Sequence, residues 1–506
     1  MERRIVDLDS LTAAGVRGGA LDGRRVTVLG LARSGIALAR FFADAGAAVT
    51  IYDGRPAGEL DAAIASLGGR AVELRLGPDV DPAAAWADAD LVATSPSINP
   101  DFPTAEPRLR TALRAVVDAH RADPAGASAL VSETDLVLRL CPCTTIGVTG
   151  TKGKTTTSSL AAALLGSDPN HPVILGGNIG IPLVERLPEL TPAHRVVIEL
   201  SELQIPMLSR GTTIAAYTNV TADHLDRHGT LEAYRAVKRR LAELVDPRGV
   251  LILNADDPVV ASYAEDSAAT VVTYRRGYPH PGGLGVVDGW IVAAVPSGPI
   301  AIMPTAELAI PGDHNVSNAM AAIAVAGALD VSPEAIRRAA GAFTGVEHRL
   351  EQVEILDGVR FINDSQGTQP DAVAAALRSF PRPLILIAGG RDKGVDMTGL
   401  GRVVADRADA AILIGESGPN LAEMFRSAGL ARVEMAASLE EAVGRGDAIA
   451  RELLAGAVEA TGPATVLMSP AAASFDMFVD YAARGRAFRD AVAGLAAARA
   501  GTRSVE

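Results

Sequence analysis

The stretch Thr144–Thr157, TTIGVTGTKGKTTT, decides how this chain folds. Thr144 to Thr149 is a short β-branched run that passes straight into a glycine-punctuated turn and then into an apolar series of helical period. Strand, Gly-rich loop and helix in succession make a phosphate-binding loop, because successive backbone N–H groups and the helix N-terminus cradle anionic oxygens. Gly150, Thr151, Lys152, Gly153, Lys154, Thr155 and Thr156 are the candidate ATP contacts. Lys154 is expected to reach the terminal phosphates and the Thr155 hydroxyl to ligate magnesium. The Walker spacing is not kept, since Val148 stands where it requires glycine and Gly150 lies only three residues before Gly153.

Outward from this loop, β-branched runs alternate with alanine-rich helical stretches from about Arg25 to the end, the pattern of parallel sheets covered by helices. The fold class is therefore α/β. With 506 residues and roughly one domain per ~150, three domains are expected. Thr104 to Leu140 reads as helix and connection, which puts the first boundary near Arg139. Between Thr270 and Pro311 short strands rich in Gly and Pro predict an antiparallel flap on the central domain. A helix with Ser332 as N-cap and Pro333 in its first turn follows, and the second boundary falls near Gly345. The expected division is 1–138, 139–344 and 345–506: a Rossmann-like domain, a central phosphate-loop ATPase-like sheet with its flap, and a second Rossmann-like domain.

Later strands of the central domain end in residues suited to phosphate chemistry. VVIELSELQ places Glu199 at one strand end, and TNVTADHLDRH places His224 just past the next. Open parallel sheets bind ligands at their strand carboxyl ends, so a carboxylate and an imidazole there can hold a second magnesium between nucleotide and acceptor. NADDP, from Asn254, ends a further strand of the same kind.

The first Gly-rich turn is ambiguous. GLARSG sets Gly30, Ala32 and Gly35 at GxGxxG spacing after strand Arg25 to Leu29, and Asp53 ends the next strand. Alanine at the middle position weakens a nicotinamide reading while leaving a nucleotide-phosphate role open. Arg33 and Ser34 lie on the same turn. Asp53 can bond a ribose hydroxyl and Arg55 can neutralise a phosphate, or both are ordinary turn residues; Ser95, Ser97 and Asn99 of SPSINP can add hydrogen bonds at the same sheet edge.

Composition narrows the partners. Forty-seven basic against 60 acidic residues, a net charge of −13 and a pI near 5.2 argue against nucleic acid or an anionic membrane surface as partner. Gly 50 and Pro 30 are modestly above the usual share of about 12% and lie at turns between apolar runs, so disorder is not expected. MERRIVDLDSL lacks the apolar core of a signal peptide, and apolar stretches such as Ala319 to Leu329 are shorter than a membrane span. A cytoplasmic, non-inserted protein is the expectation. Cys141 and Cys143, two apart before a strand, predict neither a strained disulfide nor a structural zinc site.

GTKGKTTT, GGNIGIP, ELSELQ, NVTADHLDRH, HNVSN, EHRLE and NDSQGT, in this order and spacing, closely resemble the Mur ligases of peptidoglycan synthesis over nearly the whole chain. GLARSG, GGRDKG and SPAAASFD resemble the branch that adds D-glutamate to UDP-N-acetylmuramoyl-L-alanine. The resemblance implies an ATP-dependent acid–amino-acid ligase, a monomer, working through an acyl phosphate with Mg2+. It implies that the first domain binds the substrate's uridine diphosphate, through Gly30, Ala32, Arg33, Ser34, Asp53, Arg55, Ser95 and Asn99. Asn178 of GGNIG would meet the muramoyl substrate, Thr155 and Glu199 one magnesium, and His224 the other. Lys238 matches a lysine that becomes carbamylated into a carboxylate-like metal ligand. Asn315 and Asn318, with His348, Arg349 and Asp364, would close on adenine and ribose. His348, Thr368, Lys393, Ser474 and Tyr481 would hold glutamate, with Ser474 alternatively an N-cap before a helix from Asp476 onward.

The family's NDSKAT reads NDSQGT here, so neutral Gln366 replaces a cation. SELQ replaces SSFQ and adds Glu202, Lys152 replaces the common loop asparagine, and SPS replaces SPG. A ligase using L-glutamate is the near alternative. A nicotinamide-binding oxidoreductase or sensor built on GLARSG is the remote one; folate-type polyglutamate ligases share the central domain but lack an N-terminal domain of this kind.

Overall fold

A computed structural model describes residues 4–102, 106–223, 225–310, 312–391, 397–456 and 462–503. The chain forms two compact units, Met1–Phe343 and Thr344–Glu506.

The first unit holds two sheets. Strands β1 (Arg25–Leu29), β2 (Ala48–Asp53), β3 (Val72–Leu76), β4 (Leu91–Thr94) and β5 (Ala129–Ser132) pair in the order β3-β2-β1-β4-β5, all parallel. The order reverses between β1 and β4, so their carboxyl ends open a crevice of the kind that takes ligands. β5 corrects the reading of Thr104 to Leu140 as helix and connection. It is four residues long, too short to show a period, and becomes a strand by pairing with β4. The helix Arg33–Asp44 turns Ala37, Leu38, Ala39 and Phe42 onto this sheet, so its apolar face is what seats it.

The second sheet has nine strands: β6 (Thr144–Thr149), β7 (Val173–Gly177), β8 (Arg195–Glu199), β9 (Ile214–Tyr217), β10 (Val250–Asn254), β11 (Thr270–Tyr274), β12 (Leu284–Val287), β13 (Trp290–Val295) and β14 (Gly298–Pro304). Their order is β14-β13-β12-β11-β10-β9-β6-β8-β7. β6 to β12 run parallel, and β12, β13 and β14 antiparallel. The expected flap is therefore a continuation of the main sheet, joined through the pairing of Tyr274 with Leu284. Asp288 and Gly289 close the β12–β13 hairpin with φ of 48° and 78°, the paired positive φ that a tight two-residue hairpin turn demands. The helix Asp313–Gly327 is buried along Asn318–Ala326 and packs on the helix Lys154–Leu165, which is why its alanine-rich run is apolar all round. The helix Pro333–Ala342 begins where the sequence places it, with Ser332 Oγ accepting from Ala335 N.

The second unit carries β15 (Glu351–Leu356), β16 (Val359–Asn363), β17 (Leu384–Gly389), β18 (Ala410–Ile414), β19 (Arg432–Met435) and β20 (Ala464–Met468) in the order β15-β16-β20-β17-β18-β19. Only β15 is antiparallel. Apolar clusters cover both faces, one around Leu377, Leu386 and Phe425, the other around Phe361, Ile412 and Phe488. The helix expected from Asp476 starts instead at Tyr481, after turns, so Ser474 is not its N-cap. Among the described residues no helix is long and apolar enough to cross a membrane.

Candidate functional site

The phosphate loop is held open by its glycines and clamped from one side. Gly150 has φ 144°, and a Cβ there would run into Thr218 Oγ1 and the Asn219 backbone. Gly153 has φ 84°, precedes the helix Lys154–Leu165 as its N-cap, and would strike the Asn318 side chain if it carried a Cβ. Thr151 N donates to Asn219 O (2.7 Å) and Lys152 N to Asn219 Oδ1 (2.9 Å), while Lys152 O accepts from Thr218 Oγ1 (2.6 Å) and Asn219 Nδ2 (3.0 Å). Thr218 and Asn219 open the quoted TNVTADHLDRH stretch, but residue type alone does not single them out. Lys154 Nζ curls back over the loop to Gly150 O (3.0 Å) and Thr151 O (2.9 Å), which keeps its charge where terminal phosphates would lie. Lys152 Nζ reaches Asp223 Oδ2 at 3.2 Å with 72% of its side chain exposed. Such an exposed pair is worth at most about 1 kcal/mol and yields easily to a polyphosphate.

Behind the loop, three strand ends bring polar groups together in a buried space. Glu199, 1% exposed at the end of β8, accepts from Asn178 Nδ2 through Oε1 (2.8 Å). Its Oε2 is buried with no hydrogen-bond partner among the described residues. Lys238, on the helix Leu231–Leu244, is fully buried and donates to Thr149 Oγ1 at 3.1 Å. Burial, aided by the charge of Lys154 and opposed by Glu202, Glu199 and Asp223, pushes the Lys238 amine down to about 7. Glu202 is held by Arg227 Nη1 at 2.5 Å. An orphaned carboxylate oxygen beside a phosphate loop and the Thr155 hydroxyl is a set of hard oxygen donors, which fits magnesium. Among the described residues no cluster of three His, Cys, Asp or Glu exists to hold a metal. His224 lies outside the described residues.

Next to the loop opens a cavity of about 860 Å³, lined by Lys152, Gly153, Asn219, Asn254, His314 and Asn318 among others. Its size and the amide and imidazole groups on its walls suit a nucleoside. Asn318 Nδ2 donates to Asn315 Oδ1 (3.1 Å), so the HNVSN pair acts as one unit at the start of its helix.

At the crevice of the first sheet Gly30, φ 83°, lies under Ile98 of SPSINP. Gly35 is required by packing, since a Cβ would collide with Gly30 O. Ala32 precedes the helix as its N-cap without a side-chain hydrogen bond, Ser34 is half-buried in the first turn, and Arg33 Nη1 crosses to Gly180 O of GGNIGIP at 2.9 Å. Asp53 accepts from Leu31 N (2.8 Å), Arg55 N (2.9 Å), Arg55 Nε (3.0 Å) and Arg55 Nη2 (2.7 Å). Burial opposes its charge, but these donors hold its carboxyl below the usual value. Asp53 and Arg55 thus brace the turn at the mouth of this crevice, with the Arg55 side chain 48% exposed. Ser95 and Ser97 hydroxyls share a hydrogen bond (3.1 Å), and the buried Asn99 keeps Nδ2 without a partner among the described residues.

A network that none of the sequence motifs marks links the two sheets. Glu133, 4% exposed, accepts from Val184 N (3.2 Å) and from Thr134 Oγ1 (3.3 Å). Thr134 Oγ1 in turn accepts from Gln204 Nε2 (3.3 Å), whose Oε1 takes Ser201 N (2.8 Å) and Oγ (2.9 Å). Burial raises the Glu133 carboxyl above its ordinary value. The only sequence signal was the capping pattern of SETD, with Ser132 Oγ accepting from Asp135 N.

In the second unit Asp364 is buried at the end of β16, accepting from Ser469 Oγ (2.6 Å) and Leu350 N (3.2 Å), and burial pushes it up to about 6. Arg349, next to His348 in sequence, is exposed. His348 is 3% exposed at φ 64°, its Nδ1 is 3.0 Å from Asn363 Nδ2, and its ring meets that of Tyr481 edge-on; burial pulls its pKa down. It is a packed histidine. Thr368 is half-buried, Ser474 buried and Tyr481 44% exposed; Lys393 lies outside the described residues. Arg484, which no sequence pattern marked, is 1% exposed and ties the two turns together through Ser365 Oγ (3.1 Å), Ser365 O (3.0 Å), Ala472 O (3.2 Å) and Ala473 O (3.3 Å).

The chain is similar to known proteins over nearly its whole length. Residues 148–326 match the family described as Mur ligase middle domain, and residues 348–458 the Mur ligase, glutamate ligase domain. The chain is 35% identical over 473 residues to the UDP-N-acetylmuramoylalanine–D-glutamate ligase of Pelotomaculum thermopropionicum, covering 93% of this chain and 98% of that one. To the same-named protein of Symbiobacterium thermophilum it is 36% identical over 477 residues, with the same coverage. Among solved structures, UDP-N-acetylmuramate-alanine ligase MurC of Thermotoga maritima superposes with a TM-score of 0.51 at 18% identity, covering 93% of this chain and 99% of that one. MurF of Acinetobacter baumannii gives 0.51 at 16% identity, covering 91% and 95%.

Proposed function

The chain belongs to the Mur ligase family and is a ligase, and from that premise we propose that it joins D-glutamate to UDP-N-acetylmuramoyl-L-alanine with cleavage of ATP to ADP and phosphate. The observation that carries this reading is the meeting of the phosphate loop, the unpartnered Glu199 oxygen and the buried Lys238 amine behind one sheet edge. The named substrates come from the 35–36% identical relatives. The division of labour is 1–138 for the uridine diphosphate end, 139–344 for ATP and 345–506 for glutamate, and the place of action is the cytoplasm.

A carboxylate is a poor electrophile, so the alanyl carboxylate first attacks the γ-phosphorus and ADP leaves. The glutamate amine then attacks the acyl phosphate carbon, inorganic phosphate departs, and the amine loses its proton to give the amide. The protein forms no bond to substrate, so catalysis is positioning and charge neutralisation. Lys154 moves from the loop carbonyls to the γ-phosphate. Thr155 and Glu199 would hold one magnesium ion, and His224 with a carbamylated Lys238 a second; these ions would supply charge neutralisation at the phosphates. A Lys238 amine near neutrality is competent to add CO2, because only the uncharged amine is nucleophilic. Asn178 orients Glu199 and stands at the GGNIG loop facing the muramoyl end. The Asn315–Asn318 pair and the adjoining cavity take the nucleoside.

The test is phosphate release by purified protein with ATP, Mg2+ and UDP-N-acetylmuramoyl-L-alanine, comparing D-glutamate, L-glutamate and no amino acid, with the product mass confirmed. D-glutamate-stimulated release with the matching mass gain is the expected result. Preference for L-glutamate moves the enzyme to the other enantiomer, and silence with both sinks the ligase assignment for these substrates.

A further inference from the structure

The chain has two cysteines, and they touch. Cys141 ends the helix Glu133–Leu140 and Cys143 directly precedes β6, so both sit on the covalent connection between the first sheet and the strand that runs into the phosphate loop. Cys141 has φ −65° and ψ 119°, the extended conformation that the following Pro142 imposes on its predecessor. In extended chain, residues i and i+2 face the same way. Their sulfurs are accordingly 3.4 Å apart, and Cys141 Sγ lies 3.7 Å from Cys143 O. Both side chains are half-buried, so reagents reach them from solvent.

We propose that Cys141 and Cys143 form a redox-active dithiol that small disulfides convert, reversibly, into an intramolecular Cys141–Cys143 disulfide. Closing a disulfide requires the sulfurs to approach from 3.4 Å to about 2.05 Å, a short movement. The eleven-membered ring around a rigid proline is strained, and strained disulfides are the labile, exchangeable ones. The two thiols also divide the labour of exchange. The hydrogen bond from Cys143 lowers the pKa of Cys141, making it the nucleophile, while Cys143 is held protonated as the resolving thiol. Cys141 thiolate attacks one sulfur of the small disulfide and expels a thiolate. Cys143, deprotonated, then attacks Cys141 Sγ of the mixed disulfide and expels the second. Two protons leave the protein, the small disulfide is reduced to two thiols, and the chain is oxidised by two electrons.

The experiment is intact-mass analysis of the reduced, full-length protein after exposure to oxidised glutathione, with a Cys143→Ser variant in parallel. The expected wild-type product is lighter by two hydrogens, maps to the peptide holding both cysteines, and returns to the starting mass with dithiothreitol. The variant, lacking the resolving thiol, keeps one glutathione on Cys141. A wild-type chain that stays at its reduced mass, retains a glutathione adduct, or runs as a disulfide-linked dimer overturns the proposal. Because the readout is mass and not turnover, it stands or falls apart from the ligase assignment.

Discussion

Lys238 Nζ lies 3.1 Å from Thr149 Oγ1, the last residue of the strand that feeds the phosphate loop, and neither group sees solvent. An amine buried there is costly as a cation, and the proposed carbamylation would convert it into an anionic oxygen ligand. Lys238→Ala is expected to lower kcat by two orders of magnitude or more, in the range typical for lost positioned charge, and added formate or acetate to restore part of it. A variant with near-normal turnover, or one that no small carboxylate rescues, argues against carbamylation.

Gly150→Ala forces a side chain into a backbone conformation at φ 144° and against Thr218 and Asn219. The strain is expected to cost about 1–3 kcal/mol. Because the loop has to shift to relieve it, ATP affinity should fall at least tenfold. Thermal unfolding and nucleotide titration measure the two effects separately.

The Glu133–Thr134–Gln204 chain fixes the Ser201 turn next to Glu199. Gln204→Leu strands the Ser201 N–H in a buried site, at about 1–3 kcal/mol. Turnover should drop more than ATP affinity, because the cavity proposed for the nucleotide is not lined by this turn. Equal loss of both would show the network to be merely structural.

Arg484 donates to carbonyls of two turns, so its planar fork matters as much as its charge. Arg484→Met leaves several buried acceptors without donors and is expected to destabilise the second unit by on the order of 3 kcal/mol. Arg484→Lys keeps the charge but not the geometry and should recover little. Calorimetry of the full chain reports the shift, and the KM for glutamate should rise in both variants.

Asp364 titrates at about 6 in the folded state, above the ordinary value near 3.8, because burial disfavours its charge. The folded state therefore binds more protons than the unfolded one between these values, and stability falls as pH rises from about 4 to about 6. Asp364→Asn should remove that part of the pH dependence. An unchanged unfolding profile across the window would contradict the burial argument.

The α/β class, the phosphate loop and the Ser332–Pro333 helix start were legible in the sequence because each rests on residues within one turn or one strand of each other. Glycine spacing, β-branched runs and capping residues act locally, so Gly150, Gly153 and Lys154 could be nominated without knowing their neighbours. The positions that only tertiary structure decided depend on contacts across tens of residues. β5 is a strand because β4 lies beside it, and β13 and β14 extend the central sheet because Tyr274 pairs with Leu284. Lys238 is named in the sequence only through the family resemblance, and packing alone shows that it is removed from water; the donors that hold Asp53, Leu31 N and the Arg55 side chain, likewise appear only in the fold. Burial and long-range hydrogen bonding set those charges and roles, and neither leaves a period or a motif in the chain.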